Sequence, residues 1–246
     1  MFSFSVSGRA ATASFRVPET HTFHQTLPLP PKTTIIGMIG AALGLPLEKA
    51  HTFAIEHDLR VGVCGSYKGL MKDLWNYRKV TGKEKNYTPE DVRNRKHFSI
   101  LIREYLTDCE FTFFFGSESE EDLSIVRNAM KDPTFALTAG NSDDLLKIVS
   151  ISPISRVNPE PLTQFDHTIL PGDVSAQCTP VIDFRNLPVT QTVETPRVFL
   201  LPTTFAFIGE QRAVIERKPF TFVGSPITLE TPVMGYIIGD KTVTLL

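Results

Sequence analysis

Thr26-Leu-Pro-Leu-Pro-Pro-Lys-Thr-Thr-Ile-Ile-Gly-Met-Ile-Gly-Ala-Ala-Leu-Gly44 sets the local architecture of the first half of this 246-residue chain. Pro28, Pro30 and Pro31 forbid helix and hold the approach extended, and the small-apolar run after Thr33 and Thr34 then propagates as a helix to about residue 45. A rigid loop of this kind delivers a helix N-terminus, where free backbone N–H groups and the positive end of the macrodipole lie beside Lys32, Thr33 and Thr34. That setting suits a phosphate, while an ordinary threonine-capped buried helix explains the same residues. The glycines at 37, 40 and 44 let the helix approach a sheet closely.

Before this segment, Phe2, Phe4 and Val6 alternate with serines, the period-2 pattern of a strand over the first seven residues. After it, Leu59 to Cys64 alternates as a second strand. Phe98 to Arg103 and Phe111 to Phe115 follow as two further strands joined by a short polar turn. Ser117 with Glu120 forms a capping box for a helix carrying Leu123, Val126, Ala129 and Met130 on one stripe, and Thr134 to Leu137 resumes as a strand. The order β-α-β-β-α-β predicts an α+β, ferredoxin-like (RRM-like) domain over residues 1–149 with a long hairpin insertion at 66–97. From residue 150 to 246, prolines break up short apolar runs and helical periodicity is absent, which predicts a smaller β-rich domain.

The charge is unevenly placed. Ten basic residues stand against four acidic ones between Tyr67 and Arg103, in a chain whose net charge is −2. Tyr67, Trp75, Tyr77, Tyr87 and Phe98 are interleaved with those cations, the composition of a surface that neutralises phosphates and stacks bases; a solvated insertion with a few anchoring aromatics is the plainer account. Thr81 to Asn86 reads as the tip of the hairpin, whose limbs bring Arg78 and Lys79 toward Arg93 and Arg95.

Cys64, Cys109 and Cys178 are widely spaced and lack a Cys-x-x-Cys pairing, so neither a disulfide framework nor a zinc site is expected. The first residues lack an export signal, and the longest apolar run, Ile35 to Leu47, is too short to span a bilayer. A cytoplasmic protein without membrane attachment, resident metal or cofactor is the expectation. His21 and His24 lie in the loop before the prolines as candidate base or phosphate contacts. Lys96-His97 with Tyr67 or Tyr77 has the side chains for metal-free RNA cleavage. Phe111, Phe113 and Phe115 resemble a base-stacking stripe, but Phe114 on the opposite face favours a strand buried on both sides.

Arg16 and Pro18, the Leu-Pro-Leu-Pro-Pro-Lys-Thr-Thr loop and the Ile-Ile-Gly-Met-Ile-Gly-Ala-Ala-Leu-Gly helix resemble the N-terminal signature of the fifth Cas protein family, of the RAMP superfamily. Arg103-Glu-Tyr-Leu106 resembles that family's Arg-Glu-aromatic-Leu element. Phe135 to Asp144 resembles its strand ending in glycine, with Asn141 where a basic residue is usual. The overall pattern is most similar to type I-B members. The resemblance implies a non-catalytic Cascade subunit that holds and caps the 5′ handle of the crRNA, contacts the repeated backbone subunit and the large subunit, and lies near the protospacer-adjacent motif of target DNA. Residues 66–97 then correspond to the family's thumb. One branch, in type I-C systems, cleaves repeat RNA, which makes a metal-independent endoribonuclease the alternative. Together these readings place RNA contacts at Arg16, His21, His24, Lys32, Thr33, Thr34, Lys68, Trp75, Tyr77, Arg78, Lys79, Arg93, Arg95, Lys96 and Arg103.

Overall fold

A computed structural model describes residues 1–78, 98–181, 193–209 and 211–246. The expected contacts Lys79, Arg93, Arg95 and Lys96, together with His97, lie outside the described residues. The chain is a mixed α+β protein built mostly of sheet. Strand β1 (Phe2–Ala13) runs twelve residues rather than seven, continuing through Gly8 and Ala10. The hairpin of β2 (Phe15–Arg16) and β4 (Thr26–Leu27), with β3 (Phe23–His24) between them, leads into α1 (Lys32–Leu43). A second helix, α2 (Leu47–Glu56), follows Pro46 and was absent from the sequence expectation.

Gly40 explains how two helices fit where one was expected. A Cβ there would lie 2.6 Å from the Cβ of Ala50, so the glycine admits α2 against α1 rather than α1 against the sheet. Gly44 ends α1 in the left-handed conformation at φ 72°, where glycine carries no steric cost.

Strands β5 (Arg60–Ser66) and β6 (Gly69–Arg78) form one interrupted limb, and β7 (Phe98–Ser117) forms the other. Arg60 pairs with Gly116 and Ser66 with Glu110; Gly69 then pairs with Thr107, and the ladder continues to Arg78 opposite Phe98. The described part of the insertion, up to Arg78, is therefore an outward continuation of the central hairpin. Its second limb is a single twenty-residue strand, which corrects the expectation of two strands and a polar turn. Asp108, at φ 51°, is the one position where the β1–β7 pairing lapses, between Cys109 and Thr107, while the register is unchanged.

Helix α3 (Glu120–Lys131) is capped two residues later than expected. Ser119 is its N-cap and accepts the Asp122 N–H at 3.2 Å, whereas the Ser117 hydroxyl donates to the His57 carbonyl. The strand expected at Thr134 to Leu137 is loop, and β8 (Leu146–Ile151) takes its place beside β1. The order β8-β1-β7-β5 is antiparallel throughout, with α1, α2 and α3 inserted between its strands.

Residues after 150 are β-rich, as expected, but their strands divide between two sheets. β11 (Thr168–Pro171) joins β5, and β14 (Gln211–Val223) and β13 (Arg197–Ile208) extend the main sheet to ten strands, with β9 (Ser155–Arg156) on β1. β10 (Glu160–Phe165), β15 (Ile227–Ile238), β12 (Cys178–Pro180) and β16 (Lys241–Val243) make a second, four-stranded sheet. Phe4, Phe111, Phe113 and Phe115 pack on one face of the main sheet with Ile35, Ile39, Leu123 and Val126. Phe114 points the other way, into a cluster with Tyr236 and Val243. This two-sided burial accounts for the unbroken aromatic run and removes the base-stacking reading of Phe111, Phe113 and Phe115. No helix among the described residues is long and apolar enough to cross a membrane.

Candidate nucleic-acid interface

An open cleft of about 650 Å³ lies where the start of α1, the loop around Gly140 and the β13–β14 hairpin converge. Arg16, Thr33, Thr34 and Asn141 line one side, and Phe205, Arg212 and Arg217 line the other. The N-cap of α1 is Pro31, which has no side-chain acceptor to offer, so the threonines do not cap the helix. The N–H groups of Thr34 and Ile35 both turn back to the Pro31 carbonyl, at 2.9 and 3.2 Å. Gly37 faces open space on this side, with nothing within 4 Å of where its Cβ would be.

Three guanidinium groups give the cleft its sign. The Arg16 side chain donates to the Thr20 carbonyl and Arg217 pairs with Glu19, which orients both without burying them. Arg212 lies over the Phe205 ring at 5.1 Å and has no carboxylate at ion-pair distance among the described residues. Cation, aromatic face and helix N-terminus in one cleft can hold a phosphate and an unstacked base side by side. Sequence reasoning missed Arg212 and Arg217. The five-residue interval between them places them on opposite faces of a regular strand, and only the register shifts of β13 against β14 near Thr204 bring both to one cleft.

Lys32 is separated from Thr33 and Thr34. It lines a small apolar cavity with Ile169, Phe220 and Leu246, which adjoins the cleft through Pro31, Leu201 and Pro202. Burial lowers its pKa, and the neighbouring Lys218 lowers it further. Lys32 is not among the residues that line the cleft, although its charge reaches His51 beside it.

Arg103 is placed otherwise than as an open phosphate contact. Its guanidinium stacks on Trp75 at 4.1 Å, with Asp143 at 3.5 Å and Asp144 at 3.8 Å, and its side chain is only 8% exposed. Asp144 is fully enclosed, accepts from the Thr12 hydroxyl at 2.5 Å and takes a long contact from the Asn141 amide at 3.4 Å. Arg103 thus ties the base of the β6–β7 ribbon to the loop that floors the cleft. Glu104 beside it accepts the Thr26 N–H, and Leu106 enters the core. In the Arg103-Glu-Tyr-Leu106 element, these three residues hold the ribbon, the proline loop and the sheet together.

His24 stands opposite Arg103 in the β3–β7 register, and its pKa is lowered by burial and then by Arg16. His21 is exposed on the same loop. Lys68 is exposed and paired with Asp108, away from the cleft. Tyr77 and Arg78 occupy the last paired positions of β6, opposite Ser99 and Phe98. The Tyr67 hydroxyl donates to Glu194 at 2.6 Å, and burial together with that carboxylate pushes its pKa up to about 12.

His51, also missed from sequence, ties α2 to the hairpin by an edge-on contact with Phe205 at 5.2 Å. Burial lowers its pKa, followed by Arg212 and Lys32. A folded-state pKa below the unfolded value means that the unfolded chain takes up the proton first, so this contribution is complete above the ordinary imidazole range and is lost as pH falls. Thermal melts between about pH 7 and about pH 5 are expected to show a smaller loss of stability in His51→Phe than in the native chain. Equal pH slopes would remove His51 from the account.

The family model described as CRISPR-associated protein (Cas_Cas5) matches residues 6–172, more than half of the chain. The chain belongs to this family of CRISPR-associated proteins, as its N-terminal motifs led us to expect. Its fold is shared with a chain of a CRISPR RNA-guided surveillance complex, at a TM-score of 0.52 and 16% identity over 94% of this chain and 91% of that one. A CRISPR protein from Archaeoglobus fulgidus is similar to the same degree, with a TM-score of 0.52 and 10% identity over 100% of both chains. No curated protein matches the sequence.

Proposed function

We propose that the chain is a non-catalytic, crRNA-binding subunit of a type I CRISPR effector complex, most similar to type I-B, with a ferredoxin-like first half. In this reading it holds and caps the 5′ handle, meets the repeated backbone subunit and the large subunit, and lies near the protospacer-adjacent motif of the target. The observation that carries the proposal is the cleft in which Arg16, Arg212 and Arg217 face the uncapped start of α1. Family membership and the fold shared with a surveillance-complex chain agree with it. The engagement of Tyr67 by Glu194 speaks against a free phenolate as general base, which weighs toward binding rather than cleavage.

Fluorescence anisotropy with a labelled handle RNA over a salt series tests the reading. Arg212→Ala is expected to weaken binding by about 5–30-fold and to lower the salt slope by about one, the signature of one lost phosphate contact. Affinity that is flat with salt, or unchanged in Arg212→Ala and Arg217→Ala, would sink the proposed cleft. Precursor repeat RNA incubated with the protein and a chelator is expected to stay intact.

A further inference from the structure

The ten-stranded sheet has an open edge beside the loop that floors the cleft, where Thr138, a cleft residue, bridges to Leu145. Among the described residues strand β8 pairs only with β1, and Leu145, Val149 and the neighbouring Phe135 are 62%, 56% and 59% exposed. A shallow groove of about 690 Å³ runs beside the strand, walled by Met130, Pro133, Ala136 and Leu137 and bordered by Lys131 and Lys147. The groove lining contains no acidic residue, and neither lysine has an ion-pair partner among the described residues. Backbone groups complete the pattern. The Leu146 N–H already points outward to the Leu137 carbonyl at 2.9 Å, and strand alternation makes Ile148 the next residue whose N–H and carbonyl face away from β1.

Natural proteins protect such edges with charge, proline or a covering segment. Here the exposed part of the strand carries one lysine, no proline and a single register shift at Val149, which leaves the stretch from Leu145 to Ile148 regular. We infer that β8 is a strand-addition site, and that its occupant is an extended segment of a partner polypeptide that alternates apolar side chains with carboxylates. The backbone of that segment pairs outward from Ile148, its apolar residues fill the groove, and its carboxylates meet Lys131 and Lys147. Charge decides against a second copy of this chain, because β8 offers no carboxylate to those lysines and self-pairing brings like charges together. A nucleic acid is disfavoured by the apolar walls and by the outward-facing backbone N–H and carbonyl of Ile148, which suit an added strand.

The probes are two short synthetic peptides, one alternating valine with glutamate and its lysine counterpart, titrated against the full chain. The acidic peptide is expected to bind more tightly than the basic one by about fivefold, the scale of two exposed ion pairs. Lys131→Glu with Lys147→Glu is expected to reverse that order, a result that partial unfolding does not produce. Ile148→Pro removes an outward N–H that β1 does not use, and is expected to weaken both peptides while the thermal transition stays cooperative. Failure of both peptides to bind overturns the inference, as does an order unchanged by charge reversal. Self-association that the same substitutions abolish overturns it in favour of a second copy, and competition by RNA overturns it in favour of nucleic acid. The test is independent of handle binding, which the cleft variants report separately.

Discussion

Asp144→Ala is expected to lower folding stability by about 3–5 kcal/mol, the cost of leaving a buried cation without its partner. Arg103 has few alternatives. Its guanidinium is enclosed by Trp75 and the 143–144 pair, its Nε and Nη1 make no hydrogen bond, and the other carboxylate, Asp143, is half exposed. Removing Asp144 also frees the Thr12 hydroxyl and the Asn141 amide, which both rest on it. Urea denaturation measures the loss. Asp144→Asn, which retains an acceptor for Thr12 without the charge, is expected to fall between the two. In an Asp144→Ala background, Arg103→Met is expected to recover part of the stability, since an apolar pair of similar volume needs no compensating charge. A loss below about 1 kcal/mol would show that solvent reaches Arg103 and that the clamp is not closed.

The second large effect falls on the same loop. Gly140 has φ 112°, outside the range L side chains adopt, and a Cβ there would lie 2.0 Å from the Ser14 carbonyl oxygen, a backbone atom that cannot step aside cheaply. The Ser14 N–H is itself donated to the Ala139 carbonyl at 3.0 Å, which holds the two segments together. Gly140→Ala is expected to cost about 2–6 kcal/mol, combining a disallowed backbone conformation with a forced displacement. Because Gly140 and Asn141 line the cleft, handle affinity should fall as well, and by more than Gly37→Ala, whose added methyl meets open space. Thermal melts and anisotropy on both variants check the pair. A Gly140→Ala protein as stable as the native chain would mean that the loop does not close on Ser14.

How much was legible depended on the range of the interaction. The serine alternation before Gly8, the proline approach to α1 and the single stripe of α3 are local patterns, and each appears close to where the residues put it. The family motifs were legible for the same reason, since they lie in short contiguous runs within the matched span. The turn expected between Phe98–Arg103 and Phe111–Phe115 failed because polar residues inside a strand are indistinguishable by composition from polar residues of a loop. There Glu104 accepts from Thr26, and Arg103 donates to Asp143 and lies at ion-pair distance from Asp144, partners far away in sequence. The helix over Leu47–Glu56 was missed for a similar reason: Pro46 reads as a terminator, and only the fit of Ala50 against Gly40 reveals a second helix.

By itself the sequence determined the first strand, the proline approach to α1, the stripe of α3, the family, the two-sided burial implied by Phe114 among its neighbours and the concentration of positive charge in one insertion. Tertiary structure alone decided which cations share a site. Lys32 is adjacent to Thr33 in the chain yet lines a neighbouring small cavity rather than the cleft, because successive helical residues point about 100° apart. Arg212 and Arg217 reach Arg16 only because β14 enters the main sheet and the register of its hairpin slips near Thr204. Arg103, chosen as an RNA contact for its charge, is withdrawn from solvent by two aspartates and a tryptophan. Charge is a property of the residue, but its availability to a ligand is set by the partners that long-range packing supplies.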